Sequence, residues 1–262
     1  MQGKVIIISG GSAGIGYGMA TALARQGAKI VVASRDQAKG EKAIANIARD
    51  AGCEPGNIAY IKTDICSEAD NERMVKFAVE THGQLDGAIN NAVFPGDFKL
   101  LADEPVETFE RVMQTNVTGT FLGMKHEIRQ FLAQGAKTGA GYSIINISSG
   151  ATRDIAMAMA MAMAPYIASK RAVEGLTEAA AMEYARQGIR INTLLFGVFD
   201  TEKSRAMHEA MPQVLEKNAA KHHVGRFGDP VKDAGEAATF LLSERSGFIT
   251  GSTMFVDGGM CL

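Results

Sequence analysis

The sequence predicts an α/β domain, a doubly wound parallel sheet of seven strands with helices on both faces. Three observations lead there. Short β-branched or aliphatic runs alternate with longer helical stretches along the 262 residues, and parallel strands need such crossovers. The run Val5-Ile-Ile-Ile8 opens the chain as a core strand. No linker rich in Pro, Gly or Ser, no composition shift and no long-period repeat divides the chain, so residues 1–262 read as one domain.

Each element follows in order. Residues 5–9 form the first strand and 15–26 the first helix; Lys29-Ile-Val-Val-Ala33 is the second strand and 37–51 the second helix. Ile58-Ala-Tyr-Ile-Lys-Thr63 is the third strand, followed by a helix over 68–82 and a fourth strand over 85–90. A long helical region, 106–134, leads to Ser143-Ile-Ile-Asn-Ile147 as the fifth strand. The helix 166–187 precedes Arg190-Ile-Asn-Thr-Leu-Leu195, and the helix 232–243 precedes Thr253-Met-Phe-Val256. Sheets of this kind bind ligands beyond the carboxyl ends of their strands, where the strand order reverses. The loops after each strand are therefore where chemistry is expected.

Composition removes several function classes. Lys and Arg total 27 against 29 Asp and Glu, a formal charge of −2, so no basic field exists to hold nucleic acid or an anionic membrane. At 46 % hydrophobic and 21 % charged residues the chain has a sizeable core rather than disorder. Cys53, Cys66 and Cys261 form no CxxC pair, which argues against a disulfide scaffold or zinc ribbon and for a reducing cytosol. No apolar run is long enough to cross a bilayer, and the first residues lack a signal-peptide pattern. The expectation is a cytoplasmic protein without metal.

After the first strand comes Ser9-Gly10-Gly11-Ser12-Ala13-Gly14-Ile15-Gly16, opening a helix. Glycines permit the tight turn and close approach, while free amides and the helix dipole favour a pyrophosphate. Alone it would be an ordinary strand-to-helix turn; its place after strand one points to a dinucleotide. The second strand ends Ala33-Ser34-Arg35-Asp36. Ser34 lies 20 residues beyond Gly14, where an acidic residue would grip the ribose of NAD. Ser34 does not repel a 2′-phosphate, and Arg35 is able to pair with one. NADP(H) is therefore favoured; a solvated Arg35 with Asp36 on the ribose, and NAD(H), is the alternative.

Tyr166-Ile-Ala-Ser-Lys170 places a phenol and an ammonium one helical turn apart. Beside the other motifs, this pair identifies a resemblance to the short-chain dehydrogenase/reductase family over nearly the whole chain. Ser9-Gly10 with Gly14 and Gly16 resembles its TGxxxGxG turn, Asn90-Asn91-Ala92 its NNAG motif, and Asn146-Ile-Ser148-Ser149 its strand-five motif. Asn192, Gly197 and Thr201 fit its strand-six motif; Arg226-Phe-Gly-Asp-Pro230 and Val256-Asp-Gly-Gly259 are also similar.

The resemblance implies a Rossmann-type fold, a nicotinamide cofactor and a homo-oligomer, a tetramer. It implies cofactor contacts from Gly10, Ser12, Gly14, Ile15, Gly16, Ser34, Arg35, Asp64, Ile65, Asn91, Ala92, Tyr166, Lys170, Gly197, Val198 and Thr201. Catalysis falls to Asn116, Ser149, Tyr166 and Lys170, with Asn116 holding a water that links Lys170 to solvent. Hydride addition to a carbonyl builds negative charge on oxygen, so a proton donor must stand there. A cation about 4 Å from the Tyr166 hydroxyl contributes on the order of 4 kcal/mol at an effective dielectric of 20, which is expected to lower the phenol pKa. Ser149 shares the developing charge.

The expected activity interconverts a ketone, with a 3-oxoacyl thioester as one substrate class, and a secondary alcohol. Reduction of an enone or enoyl double bond on the same scaffold is the enzymatic alternative, and a non-catalytic NADP-sensing protein the competitor from another class. Three departures stand out: Val93 replaces the last glycine of NNAG, Phe196 replaces the proline before Gly197, and 16 residues separate Ser149 from Tyr166. Phe196 is expected near the nicotinamide, and the longer spacing leaves Ser148 as the rival hydroxyl to Ser149. Met157, Met159, Met161 and Met163 recur at alternate positions, either an adaptable wall beside the substrate or packing within or between subunits. Residues 202–224 read as a polar, partly helical insertion, which the resemblance implies is a mobile substrate lid; His208, His222 and His223 are expected at the surface rather than on a metal, and Cys66 as a packed side chain.

Overall fold

The computed structural model describes residues 1–135, 141–154, 162–210 and 219–262. Its strands are β1 (Val5–Ser9), β2 (Lys29–Ser34), β3 (Ile58–Lys62), β4 (Gly87–Asn90), β5 (Tyr142–Ser149), β6 (Ile189–Phe196) and β7 (Thr253–Val256). All pair in parallel in the order β3-β2-β1-β4-β5-β6-β7. The chain thus winds outward from β1 to one edge and then from β4 to the other. The reversal point lies between β1 and β4, where a ligand crevice opens at the carboxyl ends.

The helices are α1 (Gly14–Arg25), α2 (Gln37–Ala51), α3 (Glu68–His82), α4 (Val106–Met113), α5 (Gly119–Gln134), α6 (Ala164–Tyr184), α7 (Glu202–Ala210) and α8 (Glu236–Leu242). Successive strand side chains face opposite ways, and this divides the core in two. Ile6 and Ile8 pack with Met19 and Leu23 of α1 and Leu241 of α8. Val5 and Ile7 pack with Met74 of α3 and Met124 and Phe131 of α5. Both faces of the sheet are covered, as aliphatic strands require.

The long helix expected over 106–134 is interrupted by a π-helical turn, Gln114–Thr118, between α4 and α5. The wider turn leaves Asn116 fully buried. A second π turn, Pro230–Gly235, precedes α8, and Asp229 caps it by accepting from the Val231 and Lys232 amides at 2.8 and 2.9 Å. Gly18 of α1 lies against this turn: a Cβ there would sit 2.4 Å from backbone atoms of Pro230. Alanine in a helix gains roughly 0.5–1 kcal/mol over glycine, but overpacking against backbone costs about 1–3 kcal/mol. Gly18→Ala is therefore expected to lower the thermal midpoint, read by circular dichroism.

Candidate active site

The glycine turn is built for close backbone approach. Gly10 and Gly14 have φ of +67° and +55°. A Cβ on Gly16 would stand 2.4 Å from the Gly10 carbonyl oxygen. Asn91, after β4, locks the turn: its Nδ2 donates to the carbonyls of Ser9 and Gly10, each at 3.2 Å. The Ser9 hydroxyl accepts from the Asn91 and Ala92 amides at 3.1 and 3.3 Å. Ser12 and Ile15 are half-buried in the same turn. The structure thus brings the β1 and β4 loops together at the reversal point.

At the far end of the crevice Arg35 and Asp64 line one shared cleft, with Lys62 and Arg73. Arg35, Asp64, Cys66 and Thr115 line a second cleft alongside it. The Ser34 hydroxyl oxygen is buried without a hydrogen-bond partner. Asp36 caps α2, its Oδ1 accepting from the Lys39 amide at 3.0 Å, while the carboxylate stays half-exposed. Ile65 packs against Gly119. Cys66 is half-buried, and burial raises its thiol pKa.

Tyr166 and Lys170 rise from the first turns of α6 beside the end of β5. The Lys170 Nζ donates to the Ile147 carbonyl at 2.8 Å and lies 5.8 Å from the centroid of the Tyr166 ring. Burial lowers its pKa to about 8. Burial raises the Tyr166 pKa, while a hydrogen bond with the Ser149 side chain lowers it in part. The net direction is opposite to the one expected from the sequence, because taking the phenolate out of water outweighs its stabilising contacts.

The two serines have different partners. The Ser148 hydroxyl donates to Glu174 at 2.6 Å within the protein, whereas Ser149 faces Tyr166. Glu174 also holds Arg153 at 2.8 Å and Arg171 at 3.4 Å, tying the loop after β5 to α6. Sequence reasoning passed over Glu174, although Tyr166, Lys170 and Glu174 share a helical face by their spacing of four.

The Asn116 Oδ1 accepts from the Phe94 amide at 2.8 Å; its Nδ2 donates to the Phe94 carbonyl at 3.0 Å and to the Ser169 hydroxyl at 2.9 Å. Ser169 in turn donates to the Tyr166 carbonyl at 2.7 Å. Both amide hydrogens therefore have protein partners, and one lone pair of Oδ1 remains for the water that the resemblance implies. Behind these groups lies a wholly buried carboxyl that the sequence did not single out. Asn90 donates to Glu127 and to Asn146, each at 3.1 Å. The second Glu127 oxygen has no partner, and burial raises the pKa to about 8.

The loop after β6 completes the crevice. Thr201 comes within 3.7 Å of the position a Gly14 Cβ would take, and its hydroxyl accepts from the Ser204 amide at 3.1 Å, capping α7. The Gly197 amide donates to the Val256 carbonyl at 3.2 Å and the Val198 amide to His222 Nε2 at 3.1 Å. Two expectations are corrected here. Phe196 is 4 % exposed and packs edge-on to Phe199 in the core, since its position in β6 turns the ring inward. His222 is 3 % exposed rather than at the surface. Met157, Met159 and Met161 lie outside the described residues, as do 211–218 of the expected lid and the side chain of His208. Among the described residues no three His, Cys, Asp or Glu side chains converge on a metal position, and no helix is long and apolar enough to cross a membrane.

Comparison with known proteins agrees with this fold. A family model described as Enoyl-(Acyl carrier protein) reductase matches residues 10–261. A 2,5-dichloro-2,5-cyclohexadiene-1,4-diol dehydrogenase of Sphingobium indicum is 37 % identical over 261 residues, 99 % of this chain and 97 % of its own length. A short-chain type dehydrogenase/reductase from Mycobacterium ulcerans superposes with a TM-score of 0.89 at 28 % identity, covering 100 % of this chain and 90 % of that one. A single-substitution variant of actinorhodin polyketide ketoreductase with NADPH superposes with a TM-score of 0.87 at 26 % identity, covering 98 % of this chain and 97 % of that one.

Proposed function

The chain belongs to the short-chain dehydrogenase/reductase family and is an oxidoreductase; from that premise we propose that it interconverts a ketone and a secondary alcohol with NADP(H). The observation carrying this reading is the placement of Tyr166 and Lys170 on the first turns of α6 beside the end of β5, with Lys170 Nζ 5.8 Å from the centre of the Tyr166 ring and anchored on the Ile147 carbonyl. The family's nicotinamide cofactor fits the residues present: the cradle leaves no room for a Cβ at Gly10 or Gly16, and the Ser34 hydroxyl is a buried group awaiting a partner. Arg35 in its cleft supports a 2′-phosphate and hence NADPH, the cofactor named with the ketoreductase neighbour.

A bound nicotinamide supplies or accepts the hydride. In this reading Tyr166 delivers a proton to the substrate oxygen during reduction and withdraws it during oxidation. Ser149 donates to the same oxygen as charge builds there. Lys170, anchored on the Ile147 carbonyl, restores the proton and offsets the phenolate when it forms. Asn116 fixes the Phe94 backbone and, through Ser169, the first turn of α6. Residues 202–224 serve as the substrate lid, supported by the 2.5 Å Lys221–Asp154 ion pair that ties its end to the loop after β5. A cytoplasmic homo-oligomer, a tetramer by resemblance, completes the proposal; exposed Phe109, Phe121 and Met182 on α4, α5 and α6 support it.

The description of the matching family model favours a second reading, reduction of an activated carbon–carbon double bond. A screen of NADPH and NADH oxidation over ketones, 3-oxoacyl thioesters and enones, with product analysis, separates the two. Alcohol from ketones supports the proposal, saturated ketone from enones supports the second reading, and binding without turnover across the panel defeats both. In the same assay Arg35→Ala is expected to raise the NADPH KM roughly 10- to 100-fold, the loss of a charge-assisted pair. The NADH KM should change little, and an unchanged NADPH KM would remove the 2′-phosphate assignment.

A further inference from the structure

We propose that His222 is a positioning residue that holds the loop after β6 in its cofactor-facing shape, an inference that rests on the nicotinamide reading above. The ring is almost wholly buried, and its Nε2 accepts the Val198 amide hydrogen at 3.1 Å. Accepting at Nε2 places the proton of a neutral ring on Nδ1. The imidazole lies against Gly197, where a Cβ would come 2.9 Å from Nε2, so the contact needs glycine as well as histidine. Phe227 meets the ring edge-to-face with centroids 5.5 Å apart.

The anchorage of His222 is independent of the loop it holds. Its carbonyl accepts from the Gly225 amide at 2.7 Å, and the Val224 amide donates to the Gly258 carbonyl at 3.1 Å. The turn 222–225 is thereby fastened to the segment after β7. The loop 197–201 is gripped from two sides. The Val198 carbonyl accepts from the Gly228 amide at 3.0 Å, and the Asp200 amide donates to the Gly228 carbonyl at 2.8 Å; His222 takes the Val198 amide from the other side. At its far end Thr201 meets Gly14 of the glycine turn. Without an acceptor at position 222 the half-buried Val198 amide loses its protein partner, a cost that the loop relieves by moving to expose it to water. Such movement carries Thr201 away from Gly14 and opens the crevice.

The test compares His222→Gln, which keeps an acceptor, with His222→Leu, which keeps apolar volume only. NADPH affinity is read from the change in nicotinamide fluorescence on binding, with steady-state kinetics alongside. Leu is expected to raise the NADPH Kd and KM roughly ten-fold or more while kcat at saturating cofactor falls far less. Gln is expected to stay within about three-fold of the wild type. Equal effects of Leu and Gln, or a Leu variant that binds as the wild type does, overturn the inference. Should Leu fail to fold, amide hydrogen exchange of the unmodified protein decides: Val198 is expected to be protected, and exchange at the rate of an open loop overturns the inference. A wild type that binds neither NADPH nor NADH overturns the cofactor reading and this inference with it.

Discussion

Tyr166→Phe is expected to lower turnover of ketone and alcohol alike by roughly 10²–10⁴-fold, the range of a lost general acid–base group, with NADPH affinity little changed. The ring packing survives the substitution, so the effect reports the hydroxyl. The pH dependence has a definite sign. Burial holds the phenol above its ordinary value of 10.0, so it keeps its proton throughout the neutral range. Reduction, which needs the proton on Tyr166 and the Lys170 ammonium that restores it, should be level near neutrality and fall from about pH 8 upward, where Lys170 loses its charge. Oxidation, which needs the phenolate, should rise with pH. Initial rates in both directions over a pH series check this; a phenylalanine variant with wild-type turnover would falsify the mechanism.

Glu127→Gln is expected to stabilise the protein most at alkaline pH. The buried carboxyl is raised from 4.5 to about 8, so the unfolded chain gives up this proton before the folded one does. Wild-type stability should therefore decline from about pH 4.5 to about pH 8 and level off above, with roughly 3–5 kcal/mol lost on this account. Glutamine keeps an oxygen for Asn90 and cannot ionise, so its stability lacks that slope. Near pH 5 the two proteins should differ little, each holding a polar group that finds only one partner. Urea unfolding midpoints at a series of pH values decide the matter; parallel curves would show that Glu127 ionises without penalty.

The sheet was legible because aliphatic runs covered on both faces leave few other architectures, and residues 5–9 and 253–256 were located to their ends. The break at Gln114–Thr118 was not legible, since neither Gly nor Pro marks a π turn there and the helical spacing continues through it. The glycine turn, Tyr166 and Lys170 were visible as local patterns. What sequence reading missed was long-range: Asp36 capping α2, Phe196 turned into the core, and His222 reaching Val198 across 24 residues. Each depends on which side of its element faces a neighbour. The direction of the Tyr166 shift was missed for a related reason. A charge partner is evident in a motif, whereas the depth of burial that outweighs it is a property of the packed molecule.

Ser148 and Ser149 are registered against Leu195 and Phe196 of β6, and that pairing carries a consequence for variation in this region. Consecutive strand positions point to opposite sides, so which hydroxyl reaches the crevice is a matter of odd and even. A slip of one step would exchange the hydroxyl proposed to meet the substrate for a structural contact, and a slip of two would restore the pattern with different neighbours. The segment beyond residue 154 is joined only after that parity has been set. Its length is thus free to diverge between related enzymes without disturbing the chemistry on the strand before it.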